Sequence, residues 1–415
     1  MFSNGVAGVS DGAPVGGIPR LMHKVRHGGL AWIGKRIAVE AKMPSTVPGR
    51  LIHGLVRRTI TLAAVGPRRL RRRFANQPPA AADTLFAFYD LSIAPITFDF
   101  LWFLASADLR RRQLGLEHVH VVIVPGSHGG VRQERDDYEN VVDAAARRER
   151  VHNILIASCA LLPTNAGVTY AASRPHARHL RGVLGRNVFP VGYEPTLPTT
   201  PGPQACLAAA RAGDRAIACL RATNERLRDI DAWIAAHADG RAVVTITLRA
   251  YGYMSARNSN LAAWARFAEW LDPKRFVCVV LPDLAQTLDG LPAGFESAII
   301  FAEPVWNVGL RMALYERAFL NMGVNTGPMG LCWLNGRTRY GTLKMAPAGV
   351  PQTDLDYYRT LEFDIGGSLP FATPLQEMIW QDDTFETIRN AFVRLVTRID
   401  EAAVAPEAAG ERIVL

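Results

Sequence analysis

Two arginines and an asparagine follow an apolar run near the middle of the chain. Residues 243–248 read VVTITL and predict a β-strand that stops at Arg249, and Arg257 and Asn258 lie in the polar loop after it. Guanidinium groups form bidentate hydrogen bonds with phosphate oxygens. The loop therefore predicts a site for a phosphate-bearing ligand. The alternative is a loop whose arginines pair with surface carboxylates.

A second segment with the chemistry of an anion site comes later in the chain. Residues 319–324 predict a strand, and Asn325, Thr326, Gly327 and Pro328 follow it as a turn. Proline is tolerated in the first turn of a helix, where its missing N–H has no partner to lose. Such a turn presents free N–H groups and the positive end of a helix dipole. If both strands belong to one sheet, Arg249 and this turn can face a single diphosphate.

The elements around these residues predict a parallel sheet. Residues 243–283 read as strand, loop, amphipathic helix and strand, and the second strand ends at Pro282 and Asp283. In open α/β sheets the carboxyl ends of the strands carry the ligand site. Trp306 lies in the loop after a further predicted strand at 297–301. It is interpreted either as a stacking surface for a nucleotide base or as a core tryptophan.

The first half of the chain has the same broad design. Strands are predicted at 86–92, at 118–124 before a glycine-rich loop, at 153–162 and at 187–193, with helices at 96–112, 138–150 and 173–184 between them. Asp90 lies at the end of the first strand and His128 lies in the glycine-rich loop. Either side chain can act as a general base. The competing interpretations are a capping role for Asp90 and no role for His128.

The alternation of strands and helices predicts an α/β fold with parallel, doubly wound sheets in two domains. Four prolines between positions 195 and 203 mark the boundary. The predicted domains are a basic arm (1–80), an N-terminal domain (81–194), a Pro-rich and helical linker (195–240), a C-terminal domain (241–373), and a last helix with a tail (374–415).

These motifs resemble the nucleotide-binding half of GT-B glycosyltransferases, in particular the bacterial heptosyltransferase-like and fucosyltransferase-like enzymes. The resemblance rests on Arg249, Arg257 and Asn258, on Pro282 and Asp283, and on the turn at 326–328. Asn325 stands where the heptosyltransferase-like pattern has an acid, and Thr247 stands where the fucosyltransferase-like pattern has a histidine. The resemblance covers residues 240–345 by motif and the rest by architecture.

The resemblance implies an α/β fold of two Rossmann-like doubly wound domains that face a cleft, with a last helix that crosses back onto the first domain. It also implies a metal-independent glycosyltransferase of bacterial surface-polysaccharide synthesis. It implies a nucleotide-sugar donor, a glycan or lipid-linked acceptor, and no further cofactor. The implied donor-binding residues are Arg249, Arg257, Asn258, Asp283, Trp306, Asn325, Thr326 and Gly327, and Asp90 or His128 would act on the acceptor. The alternatives are a non-catalytic scaffold and a nucleotide-sugar epimerase.

Charge is concentrated in the arm. The chain has 415 residues and a net charge of +9, while residues 1–80 alone hold 14 Lys and Arg against Asp11 and Glu40. Residues 20–75 are interpreted as a solvated arm or as a contact with an anionic membrane surface. Nucleic-acid binding is disfavoured because the arm lacks a known motif. Five scattered cysteines and the lack of a signal peptide favour a cytoplasmic location, with peripheral membrane contact as an option.

Two further patterns are weak metal candidates. His118 and His120 alternate along one predicted strand, and Asp354 and Asp356 have the spacing of a DxD motif. The histidines lack a third ligand nearby in sequence, and the DxD pattern follows both predicted sheets instead of an early nucleotide-binding one. We therefore predict no metal site from either pattern.

Overall fold

The fold is described from a computed structural model that covers residues 82–134, 136–291, 293–351 and 353–409. The predictions for the arm at 1–80 lie outside these residues. The described residues before Thr196 and those from Thr200 onward belong to one compact unit, which holds two β-sheets. Within the described part of the chain, no helix has the length and apolar character needed to cross a membrane.

The first sheet contains four parallel strands in the order β3-β2-β1-β4. Its strands are β1 (Thr84–Asp90), β2 (His118–Val124), β3 (Asn165–Tyr170) and β4 (Val188–Phe189). Every residue of β1 is buried. Its side chains alternate between two apolar clusters, with Ala87 in one and Phe88 in the other. This pattern is typical of a parallel sheet covered on both faces.

The second sheet contains six parallel strands in the order β10-β9-β8-β5-β6-β7. Its strands are β5 (Ala242–Thr247), β6 (Phe276–Leu281), β7 (Ile299–Ile300), β8 (Leu320–Val324), β9 (Tyr340–Leu343) and β10 (Gln376–Met378). It too is covered on both faces, because Val243 and Val244 enter different apolar clusters. The predicted fold of two Rossmann-like α/β halves is confirmed.

Helices connect the strands and cover the faces of both sheets. The α-helices are α1 (Phe100–Gln113), α2 (Asp136–Glu139), α3 (Ala144–Arg150), α4 (Ala157–Cys159), α5 (Arg174–Val183), α6 (Gln204–Arg211), α7 (Asn224–His237), α8 (Leu261–Trp270), α9 (Leu284–Asp289), α10 (Glu303–Trp306), α11 (Val308–Arg317), α12 (Gly330–Trp333), α13 (Leu355–Thr360) and α14 (Phe385–Ala409). A π-helix spans Val151–Ile156, and single 3-10 turns span Arg215–Ile217, Ser255–Arg257 and Gly327–Met329.

Three predicted elements are wrong. The apolar run at 153–162 is helical, not a strand, because its buried residues Val151, Leu155 and Cys159 recur every four positions. A short apolar run fits a buried helix and a buried strand equally well. The helix predicted at 138–150 is split into α2 and α3. The last helix begins at Phe385, and the strand β10 precedes it.

Strand order reverses at one point in each sheet. In the second sheet the chain moves outward from β5 through β6 to β7 and then returns to the other side of β5 as β8. The loops after β5 and β8 therefore flank a crevice at the carboxyl edge, where doubly wound sheets bind ligands. In the first sheet the same reversal lies between β1 and β4. The two predicted ligand-binding segments are the loop after β5 and the turn after β8.

The two halves pack against each other through an aromatic contact. The indole of Trp102 on α1 lies with its centroid 6.1 Å from the ring of Phe363 and 6.3 Å from that of Phe371. Cδ1 of Leu101 lies 3.3 Å from the position that a Cβ atom on Gly330 would occupy. This packing brings the loop after β1 close to the turn after β8.

Candidate functional site

The loop after β5 is held in shape by Arg249. Its guanidinium donates hydrogen bonds to the carbonyls of Tyr253 and Met254 at 2.7 and 3.2 Å, and to Oδ1 of Asn258. The Asn258 amide in turn donates to the carbonyl of Tyr251 at 3.0 Å. Arg249 is only 6% exposed. The sequence predicts that Arg249 and Asn258 bind the donor. In the structure their side chains donate hydrogen bonds to the main chain of the loop.

Arg257 has a different environment in the same loop. Its Nη2 donates to the carbonyl of Asn325 at 3.1 Å, while Nε is sealed from solvent without a partner. Among the described residues, no carboxylate oxygen lies within 4.0 Å of Arg249 or Arg257. Burial lowers the pKa of Arg257, and burial together with the charge of Arg257 lowers the pKa of Arg249 to about 10. Within the described part of the chain, two cations of one loop are thus desolvated and lack a carboxylate at ion-pair distance.

The turn after β8 is fixed by Asn325. Its amide donates to the carbonyl of Met345 at 2.9 Å and to the hydroxyl of Tyr358 at 2.6 Å. Thr326 is buried, and Gly327 lies against Phe98 of the first half, since a Cβ at Gly327 would lie 2.9 Å from Cδ2 of Phe98. This close approach requires glycine. The helix after the turn, α12, has four residues, so its dipole contributes little to an anion site.

Asp283 and Trp306 follow strands β6 and β7 along the chain. Oδ2 of Asp283 accepts a hydrogen bond from the backbone N–H of Ala250 at 2.9 Å, and Oδ1 accepts one from Leu284 at 2.7 Å. Asp283 therefore caps α9 and fixes the start of the β5 loop. Trp306 ends α10, after β7, and is 49% exposed. A large aromatic face thus remains available at the edge of the sheet.

Asp90 is the centre of a buried network at the reversal point of the first sheet. Its carboxylate accepts two hydrogen bonds from the Arg174 guanidinium at 2.8 and 3.1 Å and one from the Tyr193 hydroxyl at 2.6 Å. Ser92 donates two more, from its N–H and its hydroxyl. Asp90 is fully buried. All the lone pairs of this carboxylate are therefore occupied.

Replacing Asp90 by asparagine is expected to destabilise the protein by about 3 to 5 kcal/mol, because it leaves the Arg174 cation without its partner. The midpoint of urea unfolding measures this change. Asp99→Asn in the neighbouring loop serves as the control and should leave the midpoint unchanged. An Asp90→Asn protein that is as stable as the wild type but inactive would show that Asp90 acts in catalysis.

His128 lies at the tip of a tight loop after β2. Its N–H donates to the carbonyl of Val131 at 3.0 Å, and Val131 donates back at 3.1 Å. The imidazole is exposed, and its Nδ1 lies 3.1 Å from the hydroxyl of Ser127. The side chain of Arg148 also reaches this loop, with Nη1 3.3 Å from where a Cβ on Gly129 would lie. His128 is thus accessible at the carboxyl edge of the first sheet.

Sequence reasoning missed Asp99. This exposed residue precedes α1 but makes no capping hydrogen bond, and its Oδ2 accepts one from the Thr97 hydroxyl at 2.9 Å. The charges of Tyr358 and Asp99 oppose the lowering of the Arg257 pKa by burial. Asp99 therefore lies within electrostatic reach of Arg257 across the two halves. An acid before an apolar helix is typical of a cap, so no sequence pattern indicates that Asp99 makes no capping bond.

The weak metal patterns fall outside this site. Nε2 of His120 bonds to the Thr169 hydroxyl at 2.8 Å. His118 lies beside Asp83 and Glu117, with ligand atoms within 4.8 Å of one another, at the opposite edge of the first sheet. Asp354 caps α13 and Asp356 pairs with Arg359 at 2.6 Å, so the DxD pair has local structural partners.

Comparison with known proteins gives structural matches only. No family model and no curated protein sequence matches the chain. A glycosyl transferase of family 9 from Veillonella parvula is 11% identical with a TM-score of 0.42, and covers 78% of this chain and 100% of its own. The ADP-heptose heptosyltransferase II of E. coli is 8% identical with a TM-score of 0.44, and covers 76% and 98%.

A third solved structure is the fucosyltransferase NodZ from Bradyrhizobium. It is 15% identical with a TM-score of 0.28, and covers 61% of this chain and 94% of its own. All three are glycosyltransferases of the groups named from the sequence.

Proposed function

We propose that the protein is a glycosyltransferase that moves a sugar from a nucleotide-sugar donor to a hydroxyl acceptor. The observation that carries the proposal is the half-buried Arg257 guanidinium, whose Nε is sealed from solvent and which has no carboxylate oxygen within 4.0 Å among the described residues. A buried charge without a partner is costly, so such a pair favours an anionic ligand. Its position between the loops after β5 and β8 is the ligand crevice of a doubly wound sheet.

The donor would lie along the carboxyl edge of the second sheet. Arg257 would bind the diphosphate, with the main chain at Thr326–Gly327 on the other side, while Arg249, Asn258 and Asp283 hold the loop in place. The exposed face of Trp306 would stack on the base. As the bond from the anomeric carbon to the diphosphate breaks, negative charge develops on the leaving group. Fixed guanidinium groups stabilise that charge in place of a metal.

Asp99 is the base that this arrangement favours. The acceptor hydroxyl attacks the anomeric carbon and gives its proton to the exposed carboxylate of Asp99, whose charge acts on Arg257. Asp90 would serve instead as an anchor, because five hydrogen bonds occupy its carboxylate. His128 is the second candidate, since its imidazole is exposed at the same edge.

The acceptor and the location are proposed from charge. Residues 1–80 carry a net charge of +12 and many apolar residues, a composition that suits an anionic membrane surface. A glycan or lipid-linked acceptor of bacterial surface-polysaccharide synthesis fits an enzyme that works at the cytoplasmic face. Binding of the full chain to vesicles with and without anionic lipid tests this part separately.

The products of nucleotide-sugar turnover test the reaction class. The full chain is incubated with a panel of nucleotide sugars and a lipid-linked glycan extract, and products are followed by mass spectrometry. A transferase releases nucleoside diphosphate and adds one sugar mass to an acceptor. An isomeric nucleotide sugar without release of diphosphate would show an epimerase instead. Asp99→Asn serves as the matched inactive control.

A further inference from the structure

Arg311 is a buried arginine with no ion-pair partner in the described part of the chain, and it lies on a helix that has no part in the proposed donor site. Arg311 lies on α11 and is 4% exposed. Its Nε donates to the carbonyl of Pro304 at 3.0 Å, and this is its single side-chain hydrogen bond to the described residues. None of those residues places a carboxylate oxygen within 4.0 Å of it. Unlike Nε of Arg257, its two terminal nitrogens are not sealed from solvent.

The bond to Pro304 places this guanidinium at the amino end of α11. Pro304 belongs to α10, before the first residue of α11, and helical side chains lean toward the amino end. Oδ1 of Asn307 accepts the N–H of Leu310 at 3.0 Å. The N–H groups of Val308 and Gly309 have no partner among the described residues. A cation and two free N–H groups therefore converge at the positive end of a ten-residue helix.

This end of α11 belongs to the carboxyl edge of the second sheet. One turn further along α11, the hydroxyl of Tyr315 lies 2.7 Å from Oγ1 of Thr247, the last residue of β5. Arg311 lies one turn closer to the edge. Arg226 of α7 also approaches, with its Cγ 3.4 Å from where a Cβ on Gly309 would lie. Its guanidinium pairs with Asp229 at 2.8 Å, so Arg311 supplies the unpaired charge at this position.

We propose that Arg311 and the amino end of α11 form an anion-binding subsite for a phosphate or carboxylate group. Free N–H groups at a helix start and an unpaired guanidinium have the geometry that oxyanions prefer. A purely structural role would need only the neutral contact with Pro304, for which a charged side chain that is 4% exposed is a costly choice. The anion can be a second charged group of the donor or a separate small anion. The subsite does not depend on the proposed transferase activity.

Calorimetric titration of the full chain tests the subsite, with inorganic phosphate and a nucleoside diphosphate as separate probes. Arg311→Met is expected to weaken phosphate binding by about tenfold or more, as for loss of a charge-assisted bond. Its melting temperature should stay the same or rise, since a buried unpaired charge is removed. Gly309→Glu keeps Arg311 but adds a negative charge at the helix end, and it should also weaken phosphate binding.

The two probes separate the sources of the anion. If Arg311→Met also weakens nucleoside diphosphate binding, the donor reaches the subsite. If it weakens phosphate binding alone, the subsite takes a separate anion. Unchanged phosphate binding in both Arg311→Met and Gly309→Glu would overturn the proposal. Failure of every nucleoside diphosphate to bind the wild type would contradict the proposed function but leave the phosphate result intact.

Discussion

Replacing Asp99 by asparagine is expected to lower kcat by about 10²- to 10⁴-fold, which is the usual contribution of a general base. Asparagine has nearly the same size but cannot accept the proton of the acceptor hydroxyl. The exposed carboxylate makes no capping bond, so the fold should not need it. The affinity for the donor should therefore change little. Steady-state kinetics at saturating donor measure the effect.

Two controls make the Asp99 result specific. Asp99→Glu restores a carboxylate and should recover part of the activity. His128→Gln removes the other accessible candidate and should leave kcat within a small factor of the wild type. If His128→Gln abolishes turnover while Asp99→Asn retains it, the general base is His128. Asp99 then influences Arg257 only through its charge.

Replacing Arg257 by methionine is expected to weaken binding of the donor diphosphate by about 10- to 100-fold, the range for loss of a hydrogen bond to a charged group. The unliganded protein should melt at the same temperature or higher, because methionine fills the space without a desolvated charge. Loss of binding together with unimpaired stability is characteristic of a residue that serves a ligand. Calorimetry and thermal unfolding measure the two quantities.

The matched control for Arg257 is Arg186→Met. Arg186 is exposed and makes no ion pair with the described residues, so its loss removes one positive charge without touching the crevice. It should leave donor affinity unchanged. If Arg257→Met lowers the melting temperature and donor affinity falls equally in both variants, Arg257 has a structural role and general charge explains the binding.

Much of the fold could be predicted because long apolar runs end abruptly at polar residues. Strand β6 ends at Leu281, directly before Pro282 and Asp283 as predicted, and the linker that was predicted to be helical contains α6 and α7. Residues 151–159 could not be assigned from sequence alone, because a short run of apolar residues fits the spacing of a helix as well as that of a strand. The strand β10 has only three residues and lies at the sheet edge, so it leaves no pattern.

The site could be predicted only in part. Sequence patterns place Arg249, Arg257 and Asn258 in one loop, but only tertiary structure separates Arg249, which holds the loop, from Arg257, which lacks a partner. Asp90 and Asp99 are both acids near the first strand. The Asp90 carboxylate is buried and bonded to Arg174 and Tyr193, which lie about a hundred positions away in the sequence. The Asp99 carboxylate is exposed and makes no capping bond. Long-range pairing of this kind is not encoded in local spacing.

Calorimetric titration with nucleoside diphosphates and their parent nucleosides tests the central claim most directly, because that claim is a diphosphate site at Arg257. The account predicts saturable one-to-one binding of at least one nucleoside diphosphate, and binding of its nucleoside that is weaker by about tenfold or more. Binding of no nucleoside diphosphate, or equal binding of nucleoside and diphosphate, would contradict it.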